Sequence, residues 1–491
     1  MVVARFTSVA EDRVATTLIV SEPSAPKKFD GCAPGSQRAP AIAAACAVLL
    51  LCVAHAASAQ AARQRHVLVI SVDGMRSSDY LTPPPGSHIP ILQRLKNHGT
   101  YAEGVEGVYP AVTYPSHTTI VTGCLPSQHG IYTNYSSRVA GKNLNDWFWF
   151  SKAIQCTTLW DEAREHHLTT ASISWPVTAG AAIDWDLPEI WDPAKPPAPE
   201  PLYVAKFMNP VFALEIFAAL GMPQPSSDSD DLRTRVAVYV IEKHKPDLTL
   251  VHLADLDQVQ HSFGPDTPQA IATLNSIDQR IGQILGAVKQ AGLADDTDVF
   301  IVSDHGFMAV HRVIHPNTLL VKANLLTASS GGAVTGGEID TVSNGGSFFI
   351  YWPKRDHLKA AVDRALKPLR DRDLVWAVIG SQALRDLGAD PRARLALDAP
   401  RDAMFDANAA GPLVTELDHE SGDHGYLPFR KDMAASFIAC GPDIKRGFDL
   451  HTVRMTAIGP TILKAMGIVD PRFGHRLPLD VYRADEQRVR R

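Results

Sequence analysis

The chain has 491 residues, room for one large domain with insertions or for two to three ordinary ones, and its 45% hydrophobic and 20% charged residues describe a globular protein with ample core. A formal net charge of −6 leaves no basic footprint. That argues against a docked nucleic-acid polymer but not against small anionic substrates, which a metal site attracts locally.

The first patterned stretch is not part of the fold. "RAPAIAAACAVLLLCVAHAASAQ" sets Arg38, an apolar run from Ala41 to Ala54, and Ala57-Ser58-Ala59 ahead of Gln60. This is the layout of a secretory signal with an A-x-A cleavage site, and the run is short for a membrane span. Residues 1–37 are polar, Pro-containing and unpatterned, as a misassigned start or an added extension would be. The expectation is residues 1–59 as extension and signal, and a mature chain from Gln60, periplasmic or secreted, without a membrane span. Cys32, Cys46 and Cys52 fall in the removed segment, leaving Cys124, Cys156 and Cys440. Cys124 and Cys156, the nearest in sequence, are open to pairing in an oxidising compartment; three buried thiols is the other reading.

From His66 strands and helices alternate. "HVLVISVDG" is a strand, and "IPILQRLKNHG" a helix ended by Gly99. "SHTTIVTG" starts a helix behind Pro115, "LTTASISWP" and "LTLVHLADLD" are strands, and "TPQAIATLNSIDQRIGQILGAVKQAG" is a long amphipathic helix before the strand in "DVFIVSDHG". Such alternation predicts an α/β fold, a mostly parallel sheet with helices on both faces. The Pro-rich stretch from Asp186 is expected to be a lid or long connection near 186–225. Residues 317–418, with the Gly-rich "SSGGAVTGGEID", the strand "SFFIYWP" and the helix "DHLKAAVDRALKPLRD", are expected to form a small inserted α+β lobe. The core would then span 60–316 and resume over 419–491.

Three of these strands end in carboxylates: Asp73, Asp257, and Asp304 with His305 beside it. Open α/β sheets bind ligands outside the carboxyl ends of their strands, and three carboxylates converging there repel unless cations sit between them. Asp257 and His261 are spaced i, i+4, on one face of a helical turn, and a further His-Gly occurs at His424. Three Asp and three His without Cys form an oxygen and nitrogen ligand set that suits zinc best, then manganese or cobalt, and six ligands suffice for two ions. Thr113, just before Tyr114-Pro115, offers a hydroxyl at a helix N-terminus, where negative charge is favoured. From its context it reads equally as a nucleophile or as a helix N-cap.

The ordered set "VLVISVDGM", "TYPSHTTIVTG", "HGIYTNY", "DLDQVQHSFGPD", "VSDHGFM" and "GDHGY" resembles the nucleotide pyrophosphatase/phosphodiesterases of the alkaline phosphatase superfamily, over roughly His66 to Pro478. The resemblance implies an alkaline-phosphatase-like three-layer α/β/α fold. It also implies two zinc ions, one on Asp257, His261 and His424 and the other on Asp73, Asp304 and His305. Thr113 would be the nucleophile beside the second ion, Asn134 an amide donor to a phosphoryl oxygen, and Tyr114 and Trp175 the lining of the substrate pocket. Two departures stand out: Ser116 where the family often has Asn, and Gln260 where it often has Gly. Neither removes a ligand. The chain also lacks the cysteine-rich modules of animal relatives and looks like a compact bacterial version.

The implied reaction is two in-line displacements on a phosphodiester or pyrophosphate of nucleotide type, through a covalent phosphoryl-threonine. The nearest rival, a phosphomonoesterase, usually needs an Arg or Lys clamp for the extra charge, and neither "TYPSHTT" nor "SISWPVTAG" carries one. "TYPSHTT" also lacks the Arg of a sulfatase motif, whereas phosphonate or lipid-head-group diesters stay open. A non-catalytic metal binder is disfavoured by the completeness of the set. The sequence leaves the oligomeric state open.

Overall fold

The run HVLVISV lacks apolar–polar alternation because both of its faces are covered. In the computed structural model, residues 65–135, 147–191, 201–221, 229–353, 356–474 and 476–483 are described. The signal segment and residues 192–200 of the Pro-rich stretch lie outside them. Strand β1 (His66–Val72) is buried at every position. There follow β2 (Thr100–Tyr101), helix α1 (Thr113–Thr122), β3 (Thr170–Ile173), β4 (Trp185–Leu187) and helix α2 (Ser229–His244). Then come β5 (Leu248–Leu253), helices α3 (Asp255–Phe263) and α4 (Pro268–Gln290), and β6 (Thr297–Val302). After β7 (Met308–Ile314) and β8 (Val414–Asp423) the chain returns to the main sheet with β9 (Phe437–Cys440) and β10 (Phe448–Asp449).

The main sheet runs β10-β2-β9-β6-β1-β5-β3-β4. Its pairs are parallel except those made by β9. Leu68, Ile70 and Val72 of β1 pack with Val240 and Ile241 of α2 and with Ile277, Ile281 and Ile284 of α4. Val67 and Val69 point the other way, into a cluster with Ile120 and Val121 of α1 and with Ile458 and Ile462. The expected mostly parallel α/β sheet with helices on both faces is the one observed.

Three local expectations change. Helix α1 begins at Thr113, so Pro115 lies inside its first turn rather than ahead of it; proline is tolerated there because its missing N–H has no intrahelical partner to lose. The stretch from Asp186 does not start as a connection, since Trp185–Leu187 is the edge strand of the sheet and Ile190 is core; three residues are too few for a readable period. The antiparallel strands Asp340–Ser343, Ser347–Tyr351, Leu395–Asp398 and Ala377–Gly380 form one sheet, and Ala403–Phe405, β7 and β8 another. Their shared cluster runs from Met308 to Met433, past the 317–418 limits drawn from composition.

Cys124 and Cys156 are bridged, and Cys440 is the free cysteine among the described residues. The bridge ties the end of α1 to the chain entering helix Leu159–Glu165. Replacing both cysteines by serine is expected to lower the unfolding free energy by about 3–4 kcal/mol, the loop-entropy value for a 32-residue separation. Urea unfolding without reductant measures it, and an unchanged midpoint would count against it.

Candidate active site

Strands β1, β5 and β6 finish level, with Ser71 opposite both His252 and Val302. The turns that follow therefore open at one edge, and Asp73, Asp304 and His305 meet there with their side chains buried. Asp257 is not at a strand end, as the sequence suggested. It is the third residue of α3, because the Asp230 carboxylate accepts the N–H groups of Ala254 and Asp255 at 2.9 and 3.1 Å and so starts the helix early. His261 lies one turn further along α3, and His424 follows β8.

The ligand atoms of Asp73, Asp304 and His305 lie within 4.8 Å of one another, and so do those of Asp257, His261 and His424. Asp73 Oδ1, Asp304 Oδ2, His305 Nε2 and Asp257 Oδ1 are buried without a hydrogen-bond partner. Each histidine donates its Nδ1–H to a backbone carbonyl at 3.1 Å: His261 to Gly422, His305 to Gly306 and His424 to Ala111. That turns every Nε2 toward the carboxylates, the orientation metal-ligating histidines adopt. The His305 and His424 rings stack with centroids 3.8 Å apart, so the two trios adjoin. A third group, Glu103, Asp449 and His451, is largely exposed and lies on the surface.

Like charges held within 4.8 Å repel by roughly 3–4 kcal/mol at an effective dielectric near 20. Burial, then the charges of Asp304 and Asp257, push the Asp73 carboxyl well above its usual range. Burial also works against Asp304, yet the His305 and His117 rings hold its carboxyl well below that range. His305 is pushed up to about 10, Asp304 outweighing the burial that opposes its charge. His424 moves the other way, lowered by burial and by the neighbouring His305 and His261. Without cations the cluster holds protons where cations fit, and the unpartnered atoms match a metal donor set.

Thr113 is 8% exposed and is the first residue of α1, while Val112 is the N-cap, which removes the capping role for Thr113. Its carbonyl accepts the His117 Nδ1–H at 2.9 Å, and the same nitrogen lies 3.6 Å from Asp304 Oδ2. Burial pushes His117 down to about 4, so it is neutral, and its Nε2 accepts the Ser71 hydroxyl at 2.8 Å. Since His424 holds the Ala111 carbonyl, the segment 111–113 is tied to both trios. Asn134 Oδ1 accepts the Tyr114 N–H at 3.0 Å, which leaves Nδ2 as its donor end.

Neither pocket residue read from the resemblance is exposed: Tyr114 is 1% exposed and Trp175 0%. Tyr114 packs against Trp147 at 5.3 Å and joins an aromatic wall in which Trp147 meets Tyr135 and Trp191, each at 4.8 Å. Trp175 stands edge-on to His117 at 5.0 Å and, like Tyr114, backs the site from the core. Gln260 accounts for one departure: its amide donates to the Gly74 carbonyl at 3.0 Å and clamps the turn behind Asp73. Ser116 is fully buried with an unpartnered hydroxyl, which nothing here explains. Sequence reasoning passed over His117, His252, Glu189 and Trp147. Only His252 carried a cue, a polar residue inside the apolar strand "LTLVHL".

A family model described as type I phosphodiesterase / nucleotide pyrophosphatase matches residues 67–410. Ectonucleotide pyrophosphatase/phosphodiesterase family member 1 of Mus musculus is 24% identical over 416 residues, covering 82% of this chain and 41% of that protein. Venom phosphodiesterase of Naja atra is 25% identical over 255 residues, 50% of this chain and 27% of its own length. The chain thus spans well under half the length of these relatives. Among solved structures, murine ectonucleotide pyrophosphatase/phosphodiesterase 5, as an inactive variant in complex with AMP, superposes with a TM-score of 0.59 at 19% identity over 83% of this chain and 96% of that one. The two share the alkaline-phosphatase-like α/β fold.

A carboxyl held above its ordinary value supports the fold only at low pH and costs stability as pH rises toward the shifted value. Asp73→Asn removes that cost, so in chelator near pH 7 the variant is expected to melt no lower than the parent. With zinc present it should lose most of the metal-dependent rise in melting temperature. An undiminished rise, measured by thermal melting with and without zinc, would contradict a ligand role for Asp73.

Proposed function

We infer, from the premise that this chain belongs to the type I phosphodiesterase / nucleotide pyrophosphatase family, that it is a two-metal hydrolase of phosphodiester or pyrophosphate bonds in nucleotide-type substrates. One observation carries the reading: two ligand trios with unpartnered buried atoms, each joined through a histidine to the segment 111–113. Asp73, Asp304 and His305 would hold one cation and Asp257, His261 and His424 the other, with zinc best suited to the donors. Bound there, the pair supplies positive charge for the attacking and leaving oxygens of an in-line displacement.

The chain's own residues do the rest. The Thr113 hydroxyl, at the N-terminus of α1, gives up its proton as it attacks phosphorus. The bond to the leaving oxygen breaks, that group departs with a proton, and water then cleaves the phosphoryl-threonine to restore the hydroxyl. His117 fixes the Thr113 backbone against the Asp304 trio, and Asn134 Nδ2 donates to the non-bridging oxygen where charge builds. The half-buried rings of Tyr135, Trp147 and Trp191, backed by the buried Tyr114, offer apolar faces to a planar group such as a base, which favours nucleotide diesters over simple monoesters. The Cys124–Cys156 bridge and the apolar run before Gln60 support export to an oxidising compartment. Among the described residues no helix is long and apolar enough to cross a membrane.

Zinc-supplied protein from Gln60 onward is expected to hydrolyse bis-p-nitrophenyl phosphate faster than p-nitrophenyl phosphate. Thr113→Ala should lower turnover by roughly 10³-fold or more, as removal of a nucleophile does. Monoester preference would favour the phosphatase reading, and undiminished turnover in the variant would remove the phosphoryl-threonine.

A further inference from the structure

His252 lies in β5, 1% exposed, between two carboxylates. Its Nε2 is 3.0 Å from Asp73 Oδ2 and its Nδ1 is 2.9 Å from Glu189 Oε2 and 3.1 Å from the Ser174 carbonyl. With acceptors at both nitrogens, the ring is fixed in plane and cannot turn without breaking a buried hydrogen bond. The other Glu189 oxygen accepts the Tyr114 hydroxyl at 3.0 Å. Arg233 approaches Glu189 at 3.8 Å and donates to Asp230 at 3.0 Å. Asp230 is the residue that starts α3, which bears Asp257 and His261. One chain of polar contacts therefore runs from the aromatic wall to Asp73, and a branch reaches the helix of the other trio.

We propose that His252 and Glu189 are positioning residues for Asp73, holding its Oδ2 so that Oδ1 alone faces the cation and joining the pocket wall to that ligand as one hydrogen-bonded unit. The division of labour between the two oxygens is visible directly: Oδ2 is engaged by His252, whereas Oδ1 is one of the unpartnered buried atoms and lies 3.3 Å from His305 Nε2. The proposal rests on the two-metal reading. It adds that affinity at the Asp73 site depends on groups that never touch the cation, Tyr114 among them. A histidine that only filled space in β5 would give no such dependence.

The test is a chelator-competition titration with zinc of the wild type, His252→Phe, His252→Gln, Glu189→Gln and Tyr114→Phe, with circular dichroism of each metal-free form to check folding. The wild type should bind two ions. His252→Phe, which keeps the ring volume, should weaken one ion by about 10–100-fold and leave the other unchanged, the usual cost of losing a hydrogen-bond partner behind a ligand. His252→Gln should recover part of the loss, and Glu189→Gln and Tyr114→Phe should give smaller losses at the same ion. A folded His252→Phe with both affinities unchanged overturns the proposal. If that variant does not fold, wild-type affinities in both Glu189→Gln and Tyr114→Phe overturn it. A wild type that binds fewer than two ions overturns the two-metal reading underneath instead.

Discussion

Asp73, Asp257 and Asp304 bring three negative charges to the carboxyl end of one sheet, and the rest of the site follows from what must offset them. Two of the three are almost wholly buried, where an unpaired carboxylate costs several kcal/mol. Hydrogen bonds within the chain answer part of the demand: the Gly74 N–H to Asp304 Oδ1, and His252 to Asp73 Oδ2. One oxygen of each carboxylate is left over, and the three histidine Nε2 atoms face these oxygens, their Nδ1–H groups being spent on backbone carbonyls. Bound protons or bound cations must lie between them.

Two sheets formed between Met308 and Asp423 take part in this arrangement. Strand β7 begins just after the Asp304–His305 turn and β8 ends just before His424, so the pair fixes both ligand-bearing turns to one ladder. The Gly346 N–H donates to the His424 carbonyl at 2.7 Å. Gly425 has a φ of +87° and packs against the Asn344 carbonyl where a side chain would clash, so glycine is required at that position. Asn344 also accepts the Thr133 hydroxyl, beside Asn134. One turn, at Asn344–Gly346, thus grips both the loop of His424 and the loop of Asn134. Distance in sequence between 134, 344 and 424 is bridged by a few short contacts.

How much of this was legible depended on period and length. Strands such as HVLVISV and the 23-residue helix α4 carry long, uniform patterns, and the sequence reading found them. The two Asp and His clusters were legible because each residue sits at a strand end or an i, i+4 step. Short pieces were not: Trp185–Leu187 has no period to read, and the early start of α3 depends on Asp230, a side chain from another helix. Tyr114 and Trp175 were both expected to line the substrate pocket, and only packing reveals that both side chains are buried. His252 and Glu189 lie 63 residues apart and meet only because β5 and the chain after β4 end at one edge.

The central claim is that two cations occupy the space between these carboxylates. Anomalous diffraction from crystals grown with zinc, recorded on both sides of the zinc absorption edge, tests it most directly. The account predicts two peaks, one within coordination distance of Asp73, Asp304 and His305 and one within that distance of Asp257, His261 and His424. A single peak, or zinc bound elsewhere while both trios hold only water, would contradict it.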